Sequence, residues 1–316
     1  MFLLKMANRR ITEILALCII VAALLIVGIS RDTLSKTYYD NTSITSKLNV
    51  SNVAPTVNDL VFYKVGAVVS NPIVLEEGIT IHVKCNATIN DSNGVGDIAS
   101  VNATIYKQGY SGAADNNKRY VNASCAEVSQ VNSLSKKYTC SFYVWYYAEN
   151  GTWVCNVTAL DTGDLSNYST TTKSVEPLYA LNLGSTEIDF SELDPGQESA
   201  SDEKMNITNY GNINLRIAVK GYARTEGDGQ AMNCTVGNIS IGYERYSLQA
   251  DQAWSAMTAL ASSWTNITDL VVPYRTNDND NNNVNSTNTT YWKIKAPYGT
   301  RGVCNGTIVF SAVPPP

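Results

Sequence analysis

The stretch WVCNVTAL, Trp153–Leu160, alternates and reads as a strand. Trp153, Cys155, Val157 and Ala159 fall on one face of an extended chain, and Val154, Asn156 and Thr158 on the other. Successive strand residues point to opposite faces, so a period of two with one apolar side specifies a half-buried strand. Asn156 opens an N-x-S/T sequon beside Cys155. A cysteine turned to the core sets its neighbour on the solvent face, where a glycan fits. The pattern recurs in Thr80–Asn86, with Ile81, Val83 and Cys85 on one face and His82, Lys84 and Asn86 on the other. Further strands are predicted near Ile98–Tyr106 and Tyr138–Tyr147, the latter with Cys140, Phe142, Val144 and Tyr146 alternating. Turn clusters at Asn90–Gly94 and Glu149–Gly151 punctuate them. Short strands with regular turns and no useful helical periodicity imply an antiparallel β-sandwich over residues 55–176.

A second sandwich is predicted over residues 177–316, after Glu176-Pro177. A run at Thr186–Phe190 leads into Leu193-Asp194-Pro195-Gly196. Strands are expected near Glu203–Asn209 and Asn212–Lys220, joined by a turn at Tyr210-Gly211, then at Ile267–Tyr274, Thr290–Lys295 and Gly302–Val313. Trp254, Met257 and Leu260 are spaced for a short helix within Gln249–Ser263. The fold class is therefore all-β, two tandem antiparallel sandwiches behind one N-terminal hydrophobic helix.

That helix is read from residues 1–30. Lys5, Arg9 and Arg10 precede an apolar run from Ile14 to Ile29. Its length lies between a signal-peptide core and a spanning helix of about 20 residues. With Ile11 included and Glu13 and Arg31 at the interfaces, residues 11–30 cross a membrane, and the leading basic residues keep the N-terminus cytoplasmic. The expectation is an uncleaved single-pass anchor with the bulk of the chain outside the cell; a cleaved signal and a pilin-type signal are the alternatives. Residues 31–54 are polar and read as a stalk.

Sixteen sequons begin at Asn41, Asn49, Asn86, Asn90, Asn102, Asn122, Asn150, Asn156, Asn167, Asn206, Asn233, Asn238, Asn266, Asn285, Asn288 and Asn305. With 33 Asn, 28 Ser and 29 Thr, chance placement gives roughly 6, so the excess points to N-glycosylation after export. Of seven cysteines, Cys18 lies in the apolar run. The other six, Cys85, Cys125, Cys140, Cys155, Cys234 and Cys304, are an even set in an exported chain and read as three disulfides. No C-x-x-C pair exists, and one histidine supplies no partner for a zinc site.

The Gly151–Asp161 segment, together with Cys85 and Cys155, resembles the penultimate strand of immunoglobulin-like repeats in archaeal exported proteins. Leu193-Asp194-Pro195-Gly196 and Ile207-Thr208-Asn209-Tyr210-Gly211-Asn212 are similar to immunoglobulin-like surface domains with a "PG … N-x-G-N" pattern. The ending, Tyr291–Ile294, Pro297–Gly299 and Gly302–Cys304, fits the same type. The resemblance implies tandem Ig-like sandwiches in an archaeal-type surface protein and says nothing of a ligand. It departs from antibody domains in that Trp153 lies beside the second cysteine and no tryptophan occupies the usual third-strand place. Four cysteines in the first unit permit three pairings. Domain partition and equal spans of 70 residues favour Cys85–Cys155, Cys125–Cys140 and Cys234–Cys304. A bridge across 70 residues contributes about 4 kcal/mol by loop entropy.

A net charge of −5 without a basic stripe excludes a nucleic-acid partner on electrostatic grounds. His82, the lone histidine, is expected on the solvent face, and no nucleophile elbow or phosphate loop is present. The chain is thus expected to be neither an enzyme nor a cofactor protein. Asp91, Asn93 and Asp97, and separately Asp161 and Asp164, are weak calcium candidates because they put oxygen ligands in turns; no metal site is assigned from the letters. Asp278-Asn279-Asp280 reads as a hydrated loop. Tyr143, Trp145 and Tyr147 are placed on one strand face, expected to be an interdomain contact or a surface for proteins or glycans. The function expected is a structural or adhesive role at the cell surface. The alternatives are a pilin-like filament subunit and a secreted carbohydrate-binding accessory module.

Overall fold

Pleated sheet dominates the computed structural model, which describes residues 43–276 and 285–313. The apolar N-terminal run, Cys18, Asn41 and the tract at Asp278-Asn279-Asp280 lie outside the described residues. Among the described residues no helix is long and apolar enough to cross a membrane. The chain divides into Met1–Ser51 and Asn52–Pro316. Residues 43–51 are exposed without regular structure, and every strand belongs to the second part.

Eight strands build the first sandwich: β1 (Thr56–Lys64), β2 (Thr80–Asn90), β3 (Ile98–Lys107), β4 (Arg119–Asn122), β5 (Ala126–Asn132), β6 (Ser135–Trp145), β7 (Gly151–Asp161) and β8 (Ser166–Val175). They form two four-stranded antiparallel sheets, in the orders β1-β2-β6-β5 and β4-β3-β7-β8. Alternation sets the core: Val83, Cys85 and Ile89 of β2, Ile105 of β3 and Cys155, Val157 and Ala159 of β7 are fully buried. The Cys85–Cys155 bridge joins β2 to β7 and so pins one sheet to the other, the immunoglobulin arrangement. Trp153, two residues before Cys155, is 1% exposed and donates its indole N–H to the Glu149 carbonyl at 2.7 Å. It takes the place and the back-bonding role that a tyrosine has at the corner of many such sandwiches. Cys125 pairs with Cys140 across a separation of 15 residues.

The second sandwich comprises β9 (Leu181–Leu183), β10 (Glu203–Asn209), β11 (Leu215–Tyr222), β12 (Gln230–Val236), β13 (Asn238–Ser240), β14 (Glu244–Ser247), β15 (Thr258–Ala259), β16 (Thr265–Val272), β17 (Thr287–Ile294), β18 (Arg301–Asn305) and β19 (Thr307–Val313). A five-stranded sheet, β15-β14-β17-β10-β9, and two three-stranded sheets, β16-β11-β19 and β13-β12-β18, contribute to one core around Trp292, Ile207, Leu215 and Ile217.

Several expectations change here. Tyr210-Gly211 does not close a hairpin, because β10 and β11 belong to different sheets. The expected helix within Gln249–Ser263 is a single 3-10 turn, Trp254–Ala256, before the short β15. Met257 and Leu260 are buried from extended chain, a spacing that does not need a helix. Gly302–Val313 is two strands broken at Gly306, where a side chain would run into the Ala231 carbonyl.

Candidate functional site

The β2–β6 register fixes two poles of the first sandwich. Asn90 pairs with Ser135 at one end and Thr80 with Trp145 at the other, roughly 35 Å apart at strand rise. Each pole gathers side chains that carry chemistry.

Asp91 follows β2, Asp97 precedes β3 and Asp161 ends β7, so two connections, β2–β3 and β7–β8, deliver three carboxylates to one pole. One oxygen of each lies within 4.8 Å of the others. Asp91 and Asp161 are each 1% exposed and Asp97 is half-buried. Asp161 is well supplied with donors: Oδ1 accepts the Gly163 and Leu165 N–H groups at 2.9 and 2.8 Å, and Oδ2 accepts the Asn52 amide at 2.9 Å. Asp91 Oδ1 accepts the Asn93 N–H at 2.8 Å, while its Oδ2 is buried without a hydrogen-bond partner. Asp97 Oδ1 accepts the Thr162 hydroxyl. Asn93 turns its oxygen to the Val53 N–H at 2.9 Å, and Asp164 is exposed and outside the cluster. The structure thus unites Asp91 and Asp97 with Asp161, which the sequence had set in a separate pair.

At the other pole the aromatic stretch does not form the expected common face. Strand β6 ends at Trp145 and a turn follows, so the period of two stops there. Tyr143 is 64% exposed, Trp145 is half-buried and Tyr147 is 1% exposed. Tyr147 lies beneath the Arg275 guanidinium, 4.7 Å from its ring centre, and Tyr146 meets the Tyr210 ring at 5.4 Å. Asn117 donates its amide to the Tyr147 carbonyl at 2.6 Å and to the Arg275 carbonyl at 3.3 Å. The Tyr274 hydroxyl reaches Glu149 at 3.3 Å; burial and that carboxylate raise its pKa. The turn is therefore the contact between the two sandwiches, and Tyr143 is not part of it.

The N-x-G-N pattern explains itself at this contact. Asn209 Oδ1 accepts the Gly211 N–H at 2.7 Å, and its amide holds the Ile213 and Val272 carbonyls at 2.7 and 3.0 Å. Asn212, 1% exposed, accepts the Leu178 N–H at 2.7 Å and donates to the Ala148 and Glu176 carbonyls at 3.0 and 3.1 Å. A Cβ on Gly211 would lie 2.0 Å from the Leu178 carbonyl oxygen, so only glycine permits this approach. No single-residue signal marks Asn212, since its partners lie in the linker and the first sandwich.

Asn86 and Asn156 stand on the outer sheet faces but are half-buried rather than exposed, as is Asn233; Asn305 is exposed. Asn86 donates its amide to the Tyr63 hydroxyl at 3.0 Å. The Asn122 and Asn288 amides are likewise engaged, with the Ser141 and Val271 carbonyls at 3.0 and 2.6 Å. Cys85, Cys155 and Cys234 are buried, but Cys304 is half-buried. Cys234 and Cys304 bridge neighbouring positions of β12 and β18 within one sheet.

His82 is not a free surface side chain. Its ring stacks on Tyr143 with centres 5.0 Å apart and Nε2 is buried without a partner; burial, then Lys84, lowers its pKa. In the second sandwich a groove of about 980 Å³ is lined by Phe190, Met205, Ile294 and Phe310 together with Glu244. Glu244 is 2% exposed, and burial pushes its carboxyl up to about 8. Its place in β14, in no apolar alternation, left it unmarked in the sequence.

No family model and no curated protein matches the chain. Among solved structures, one from a chaperone–tip adhesin complex of CFA/I fimbriae biogenesis has 9% identity and a TM-score of 0.31, covering 86% of this chain and 89% of that one. The C-terminal domain of the AgI/II polypeptide BspA of Streptococcus agalactiae has 11% identity and a TM-score of 0.25, covering 82% and 100%. A DUF4466 family protein from Parabacteroides merdae has 8% identity and a TM-score of 0.24, covering 78% and 100%. At TM-scores below 0.5 no activity of these proteins is transferred to the chain.

Proposed function

We propose that the chain is a membrane-anchored, N-glycosylated cell-surface protein with a structural or adhesive role, held by residues 11–30 and presenting two Ig-like sandwiches outside the cell. The observation that carries the reading is the sorting of two residue types. Six cysteines form three disulfides, the chemistry of an oxidising compartment. Every sequon asparagine among the described residues is exposed or half-buried. The interlocked junction between the sandwiches supports a load-transmitting role rather than a flexible tether. The archaeal affiliation belongs to the same proposal and rests on the sequence resemblance. Partners are other surface proteins or glycans, and the reading assigns no catalysis.

Fractionation of cells making the full chain tests it, with the mature N-terminus and the glycopeptides read by mass spectrometry. An intact N-terminus in the membrane fraction with sugar on the sequons is expected. Release into the medium after a cut near Ser30, or a cut near Arg10 with recovery in filaments, overturns the anchor.

A further inference from the structure

We propose that Asp91, Asp97 and Asp161 bind a Ca2+ ion at the pole of the first sandwich where Asn52 and Val53 join it. Two observations meet here. The three carboxylates bring oxygens within 4.8 Å of one another; oxygens on opposite sides of a Ca2+ ion, at 2.3–2.6 Å from it, are separated by about 5 Å. Independently, Asp91 is 1% exposed and its Oδ2 is buried with no hydrogen-bond partner. A buried carboxylate oxygen with neither donor nor cation is costly, and more so beside two like charges. Among the described residues no Lys, Arg or His forms an ion pair with any of the three.

The donor set selects the metal. It is all oxygen, which disfavours zinc and copper. It offers three carboxylates from two connections; Mg2+ is usually held by one or two and keeps several waters. The remaining positions of a six- to eight-coordinate ion fall to water and to carboxylate oxygens with spare lone pairs. Asp161 is already aimed by the Asn52, Gly163 and Leu165 donors, so its geometry is preset. Binding would tie the β2–β3 turn to the β7–β8 turn and, through Asn52 on Asp161 and Val53 on Asn93, fix the start of β1 to that pole. The inference is independent of the proposed surface role.

The test is thermal unfolding and calorimetric titration of the full chain in detergent, stripped with EDTA and then given CaCl2 or MgCl2. Ca2+ should bind once with a Kd of about 0.1–1 mM, the range of extracellular modules. At 5 mM it should raise Tm by about 5 °C, with a smaller response to Mg2+. Asp91→Asn should weaken binding roughly tenfold or more and abolish the Tm rise, leaving Tm in EDTA no lower than wild type because a buried charge is gone. If that variant does not fold, Asp97→Asn at the half-exposed position carries the same test. No response of the wild type to Ca2+, an equal response to Mg2+, or a Ca2+ response surviving both substitutions overturns the proposal.

Discussion

Among the described residues Glu244 carries the clearest pH signature. Burial raises its carboxyl from 4.5 to about 8. Below pH 4.5 the folded and unfolded chains both hold the proton. Between 4.5 and 8 the unfolded chain releases it while the folded chain keeps it, so stability falls as pH rises through that window and levels off above 8. Glu244→Gln keeps the shape and removes the titration. Urea unfolding should show variant and wild type alike at pH 4.5, with the variant more stable by about 3 kcal/mol at pH 7. A difference independent of pH would show that the carboxyl titrates alike in the folded and unfolded chains, so that burial does not shift it. Trp153 makes a different point at the same scale. It faces the core as its alternation requires, and its indole N–H also ties the β6–β7 corner, so one side chain contributes apolar area and a turn lock.

The strands themselves were legible because alternation is local. β2, β3, β7 and β10 lie where a period of two places them. Where the sequence misleads, the cause is non-local. Tyr147 continues the letter pattern of β6, but the strand stops at Trp145 because the next residues turn into the second sandwich. Equal spans between Cys85–Cys155 and Cys234–Cys304 suggest equal roles, yet the first crosses between sheets and the second joins neighbours in one. Asp161 and Asp91 are 70 residues apart in the sequence and meet only because β2 and β7 end at the same pole. The turn expected at Tyr210-Gly211 is instead a crossover between sheets, packed on the linker. Gly211→Ala should therefore cost more than a turn substitution. A methyl against the Leu178 carbonyl forces the linker away, and a loss of about 2–3 kcal/mol in denaturant unfolding is expected. Loss below about 0.5 kcal/mol, the level of an ordinary surface site, would mean the linker yields freely.

At the scale of the whole molecule, the two cores meet through buried tyrosines laced by polar side chains. Asn212 serves the linker at Leu178 and Glu176 and the first sandwich at Ala148, while Asn117 serves Arg275 from the other side. Removing Asn212 leaves the buried Ala148 carbonyl unpaired, at about 1–3 kcal/mol, and the half-buried Leu178 and Glu176 groups at less. Calorimetry should show wild type unfolding in one transition and Asn212→Ala in two, the sandwiches having lost their coupling. A single shifted transition in the variant would assign the coupling to the Tyr146–Tyr210 contact instead. The engaged amides of Asn86, Asn122 and Asn288 have a consequence for timing. The nitrogen that would receive a sugar is, once the sheets close, already donating to Tyr63, Ser141 or Val271. Under the proposed export, sugar transfer at these asparagines is a race against strand pairing, whereas the exposed Asn167, Asn238, Asn266 and Asn305 stay open to the transferase afterwards. Glycopeptide occupancy should therefore fall at the first three relative to the other four, and rise at them when folding is delayed by a reductant. Those three sequons would act as a clock for secretion, recording in sugar how long each chain stayed unfolded.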